Sequence, residues 1–149
     1  MLNIKRFLLL GFIFTLGSCA SNPKHVRVDD MYQPHFDYLV TLFDENDIKI
    51  NYRKIKYVRV LEMPGVHGKY NRKHKIIYID KYFNRWDWLP IYTDVKTIVL
   101  AHELAHSQKI WHNNDTSSIM CSKVDLYITD IINKKGIDKP ILDAFKNNY

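Results

Sequence analysis

The chain has 149 residues, 46% of them hydrophobic and 13% aromatic, enough for one compact domain with one core and too few for two. With 26% charged residues and only five glycines and five prolines, it is neither disordered nor of low complexity, and no internal repeat is visible. The formal charge of +6 falls to +4 when Lys5 and Arg6 are set aside, leaving 20 basic against 16 acidic side chains.

Lys5 and Arg6 precede an almost purely apolar run from Phe7 to Leu16. That run is too short to span a bilayer as a stable helix, and a charged region followed by an apolar one is the order found in secretory signal peptides. Leu16-Gly17-Ser18-Cys19 resembles the lipobox of bacterial lipoproteins, where the signal is cut before the cysteine and the thiol and new amine are acylated. The resemblance implies a signal peptide over residues 1–18, lipidation at Cys19, and an exported protein anchored in a membrane by lipid, on the periplasmic side or at the cell surface. The alternative is an ordinary signal peptide with an incidental cysteine. Only one other cysteine exists, Cys121, so no internal disulfide is expected and Cys121 is expected to be buried.

Residues 19–30 are mostly polar and aperiodic and read as a tether, which leaves 31–149 for the domain. From Pro34 to about Asp44 the apolar positions Phe36, Leu39, Val40 and Phe43 recur at helical spacing, with Pro34 suited to the first turn. Ile55 to Leu61 is β-rich and roughly alternating, and Pro64-Gly65 ends it. Val66–Tyr70 and Lys75–Asp80 flank the polar turn Asn71-Arg72-Lys73-His74 and predict a hairpin. Tyr82 to Pro90 is a compact aromatic segment with Phe83, Trp86 and Trp88, read as core or lid.

A central helix is predicted from Thr93 or Asp94 to about Gln108, apolar on more than one face and therefore buried. Residues 123–134 predict another helix ended by Gly136, and a short helix is expected to follow Pro140. The basic residues gather locally at Lys54 and Lys56 and at Arg72–Lys75. Such charge suits an anionic surface, but a solvated hairpin tip accounts for the second cluster equally well, and no nucleic-acid partner is expected.

The chemistry centres on His102-Glu103-Leu104-Ala105-His106. Residues four apart on a helix share a face, so His102 and His106 present two imidazoles to one point, at a separation suited to zinc. Glu103 lies one position round, where it would reach a water on the metal as a general base and later return the proton to a leaving amine. Leu100, Ala101, Leu104 and Ala105 surround the pair, so it should point inward, where two imidazoles and a carboxylate without a cation would be hard to satisfy.

The next histidine is His112, and eight residues beyond it Met120 closes the segment Ser118-Ile119-Met120. The spacing His102, His106, His112 with the Ser-Ile-Met segment resembles the metzincin clan of zinc peptidases over Ile98 to Met120. The resemblance implies Zn²⁺ held by those three histidines and Met120 in a Met-turn beneath the metal. It also implies a peptide or protein substrate, and a small α+β zincin-like domain with a short, mostly antiparallel sheet packed on a buried zinc-binding helix. Gly68-x-Tyr70 with the following Ile76–Asp80 is similar to the strand that lines the cleft in small zincins, though a plain edge hairpin would read the same. Two positions depart from the pattern. Lys109 stands where the family has glycine, at a cost on the order of 1 kcal/mol if φ is positive, and Ser122 stands where some members carry a stabilising tyrosine, a role that stays unassigned, with Tyr127 a candidate. The rival third ligands are Asp125 and Asp130 on the following helix. The remaining histidines, His25, His35, His67 and His74, sit in polar surroundings and are expected to face solvent.

The residues thus lead to a zinc-dependent hydrolase, with a non-catalytic zincin-derived binding lipoprotein and a cell-wall peptide amidase as alternatives. A structural site would not require Glu103, which favours the enzyme.

Overall fold

The computed structural model describes residues 22–81, 90–122 and 124–146, with backbone alone at 90–92 and 124–127. The segments expected to carry the signal peptide, Cys19 and most of the aromatic stretch lie outside these residues. In chain order the elements are β1 (Arg27–Val28), α1 (Gln33–Glu45), β2 (Tyr57–Leu61), β3 (Gly68–Asn71), β4 (Ile76–Asp80), α2 (Pro90–Ser107), α3 (Val124–Lys135) and α4 (Asp138–Lys146). The result is a small α+β domain, as expected.

The sheet has the order β1-β2-β4-β3, and here one expectation is corrected. Only the β3–β4 hairpin is antiparallel; β1 with β2 and β2 with β4 run parallel, so the sheet is mixed rather than mostly antiparallel. The strand sequences explain the order. β4 carries Ile77 and Ile79, both fully buried, and a strand so apolar belongs in the middle with partners on both edges. The polar Gly-Lys-Tyr-Asn of β3 goes to the rim, so the chain passes from β2 over to the rim and returns inward as β4. Asp80 fixes this crossing: its Oδ1 accepts from the Met63 N–H at 3.0 Å and its N–H donates to the His67 carbonyl at 2.9 Å.

The domain also begins earlier than its sequence suggests. Arg27 and Val28 pair with Tyr57 and Val58, and Val26 is buried, so the last residues read as tether belong to the sheet. α2 begins at Pro90, three residues before the expected cap, because proline's fixed φ and missing N–H suit the first helical position; Thr93 and Asp94 lie inside the helix. α4 likewise starts at Asp138, two residues ahead of Pro140.

α2 runs through the middle of the molecule, packed on β3 and β4 on one side and on α1, α3 and α4 on the others. Its Ile98, Leu100, Ala101, Leu104 and Ala105 are buried, as are Phe36, Leu39 and Phe43 of α1 and Ile141 and Phe145 of α4. Phe43 and Phe145 meet at a ring-centroid distance of 4.6 Å. A helix surrounded this way holds its side chains in fixed directions, which is what a constellation of ligands needs.

Candidate metal centre

The last turns of α2 carry His102 and His106 on the face toward β3, and the chain then reverses to bring in His112. The reversal is a Schellman cap. The Ile110 N–H donates to the Ala105 carbonyl at 3.0 Å and the Lys109 N–H to the His106 carbonyl at 3.1 Å, the two bonds that define the motif. Lys109 takes the left-handed conformation, with φ of 72°, in the place where glycine is usual. Ile110 and Ala105 are both buried in the core, the apolar setting that accompanies such caps and favours the turn despite the strain at the lysine. The turn that the sequence left in doubt is therefore made at Lys109 itself.

Ser118-Ile119-Met120 forms a second clamp. Asn113, next to His112, donates its N–H to the Met120 carbonyl at 2.8 Å, and Ser118 Oγ accepts the Met120 N–H at 3.1 Å. Between them, the Ile119 carbonyl accepts from His102 Nδ1 at 2.6 Å. One tripeptide thus orients His102 and anchors the strand leaving His112. Met120 is buried to 1% exposure. Cys121 is buried, as expected, and forms no disulfide among the described residues.

The ring nitrogens define the chemistry. A carbonyl oxygen only accepts, so the Nδ1 of His102, on Ile119, and of His106, on the Ile110 carbonyl at 3.0 Å, carry the protons. Their Nε2 atoms are then lone-pair donors, and both aim at His112 Nε2. The three separations are 3.1 Å for His102–His112, 3.1 Å for His102–His106 and 3.0 Å for His106–His112. His112 Nε2 can give a proton to only one of the other two, so at least one lone pair is left over that a cation among the three would satisfy, and tetrahedral bonds of about 2.0–2.1 Å to zinc would place such nitrogens about 3.3 Å apart. His102, His106 and His112 form a group that could hold a metal ion, and its donor set fits one. Burial pushes the His102 imidazole down to about 4, opposed by its bond to Ile119 and reinforced by its two histidine neighbours. Burial also lowers His106. Both are thus kept neutral, the state a ligand requires.

Glu103 is 5% exposed. Burial raises its carboxyl to about 7, while a hydrogen bond from the Tyr70 backbone pulls the other way. It reaches its position because Gly68 on β3 has no side chain: a Cβ there would lie 2.8 Å from both Cγ and Oε1 of Glu103. The sequence reading placed Gly68 on a strand by the site without giving it this part, although a glycine inside a strand is a signal of close approach.

Of the two rival ligands, Asp130 does not join the group. Asp130 is an exposed side chain facing Lys134 at 4.0 Å, and the side chains of Asp125 and Tyr127 lie outside the described residues. His25, His67 and His74 are exposed, but His35 is not: it is 9% exposed and pairs with Thr97 Oγ1 at 2.8 Å. Its polar neighbours in sequence misled; position 35 falls on the apolar stripe of α1.

The three histidines and Glu103 stand in a cleft of about 730 Å³, walled by β3, the end of α2 and the chain through Trp111 and His112. Comparisons with models of known protein families, with curated proteins and with solved structures find no match to this chain.

Proposed function

We propose that the protein is a zinc-dependent peptidase of metzincin-like type, exported and held at a membrane by lipid on Cys19. His102, His106 and His112 bind Zn²⁺, and Glu103 is the general base. The observation that carries this reading is the convergence of three Nε2 atoms, 3.0–3.1 Å apart, beside a buried carboxylate in an open cleft. A structural zinc site is closed by four protein ligands, whereas a hydrolytic one has three and keeps a position open. Among the described residues no fourth histidine, cysteine or carboxylate belongs to the group.

Zinc bound there supplies a Lewis acid that acidifies water and polarises a carbonyl. The chain's own residues do the rest. Glu103, poised by burial between its charged and neutral forms, takes a proton from the attacking water and delivers it to the leaving amine nitrogen. Gly68 leaves room for that carboxylate, and Tyr70 holds it through the backbone. The Ile119 and Ile110 carbonyls fix the tautomers of His102 and His106, which raises their strength as ligands. β3, the outer strand of the sheet, lies along the cleft where an extended substrate would pair with it.

The test is Glu103→Ala in the full-length protein. It should retain about one zinc per chain and lose peptide hydrolysis by about 10²–10⁴-fold. Undiminished hydrolysis in that variant would remove Glu103 from the mechanism.

A further inference from the structure

The cleft is lined by Lys54, Lys69, Arg72, Lys75 and Lys109, against one carboxylate, Glu103. These cations come from separate parts of the chain: the turn before β2, strand β3, the β3–β4 turn and the cap after α2. Basic residues that look like scattered surface charge in the sequence are gathered by the fold around the site. They are close enough to act on one another, since the Lys54 ammonium is held below its usual range by burial and by Lys109 and Arg72 beside it. None of the five is in a salt bridge among the described residues. Lys75 Nζ donates to the Arg53 carbonyl at 3.1 Å, which positions the charge without neutralising it. Trp111, 69% exposed, adds an open apolar surface to the same lining.

A cleft lined by one sign of charge focuses its field and concentrates ligands of the opposite sign. Here the field lies over the histidine group and along an edge strand. In an extended peptide alternate side chains face one side, about 6.6–6.8 Å apart, so acidic residues at alternate positions would present a row of carboxylates to this wall. We propose that the cleft selects anionic peptides, with Asp or Glu side chains or a free terminal carboxylate near the bond held at the three histidines. This rests on the peptidase reading given above.

The experiment measures binding without turnover, in full-length Glu103→Ala protein. The probes are a labelled peptide with Glu at alternate positions and the same peptide with Gln. At low ionic strength the Glu peptide should bind about tenfold tighter or more, and the gap should narrow as salt is raised. Lys69→Gln with Arg72→Gln should remove most of the gap, and Lys69→Arg with Arg72→Lys should keep it. Equal affinities for the two peptides would overturn the proposal, as would a gap that survives the double Gln variant. An inorganic polyphosphate of matched charge that binds as tightly as the Glu peptide would overturn it too, by assigning the cleft to polyanions in general. The two readings fail separately. Hydrolysis of Glu and Gln peptides alike leaves a peptidase without this selectivity, and selective binding by a protein that cleaves no peptide leaves the selectivity without the peptidase.

Discussion

Histidines meet partners at two places along α2, and the two differ in what the protein leaves unsatisfied. His35, from α1, donates through Nδ1 to Thr97 Oγ1, whose own hydroxyl donates to the Thr93 carbonyl at 3.1 Å. That short chain of hydrogen bonds ends in the backbone and asks for nothing more at Nδ1. At the other end of the helix, backbone carbonyls satisfy Nδ1 of His102 and His106, and the three Nε2 atoms are left to face one another. Burial of an imidazole is therefore no mark of a site by itself. The mark is a convergence of ring nitrogens with more lone pairs than protons to share among them.

The sharpest way to break that distinction is to remove one histidine from each place. His102→Ala should lose zinc and with it all measurable hydrolysis, whereas His35→Gln should keep the metal and lose about 1–3 kcal/mol of stability from its buried hydrogen bond. Metal analysis and denaturant unfolding read the two effects, and loss of zinc in both variants would erase the difference. Next in size is Gly68→Ala. Its Cβ would meet Glu103 Cγ and Oε1 at 2.8 Å, so the carboxylate must shift. Hydrolysis should fall by about 10²-fold, the scale of a small misplacement of a catalytic group, while zinc content is unchanged.

Lys109→Gly should act in the opposite sense. With φ of 72° at this position, glycine relieves strain of about 1 kcal/mol, which should raise the melting temperature by a few degrees without altering zinc stoichiometry. The smallest effect is one of pH. Burial first, then the nearby Lys96, holds the His35 imidazole below its usual pKa. The unfolded chain therefore takes up this proton before the folded one, and stability falls as pH drops below about 6.5. In zinc-loaded protein His35→Gln should flatten that slope, measured by unfolding at several pH values; an unchanged slope would place its cause elsewhere.

Much of this site was legible in the sequence because its information is local. The i, i+4 spacing puts His102 and His106 on one face whatever the fold, and the buried Leu100, Ala101, Leu104 and Ala105 turn that face inward. The helical stripe of α1 and the hairpin turn at Asn71–His74 were readable for the same reason. What escaped depends on contacts distant in sequence. The order of strands follows from which one the helices cover, the role of Gly68 from the approach of a residue 35 positions later, and the basic cleft from segments that meet only when folded. His35 was misread by weighing its neighbours in sequence above its place on the helix. Lys109 shows the limit of expecting glycine at a turn, since two cap hydrogen bonds and the burial of Ile110 accommodate a lysine there.

The proposed function stands or falls on zinc binding by the three convergent imidazoles. Its most direct test is a zinc titration of metal-stripped, full-length protein against a chromogenic chelator, with His112→Ala alongside. One tight site per chain is expected, weakened by about 10²-fold or more when the third ligand is removed. A native chain that takes up no zinc, or a His112→Ala variant that binds it as tightly as the native chain, would contradict it.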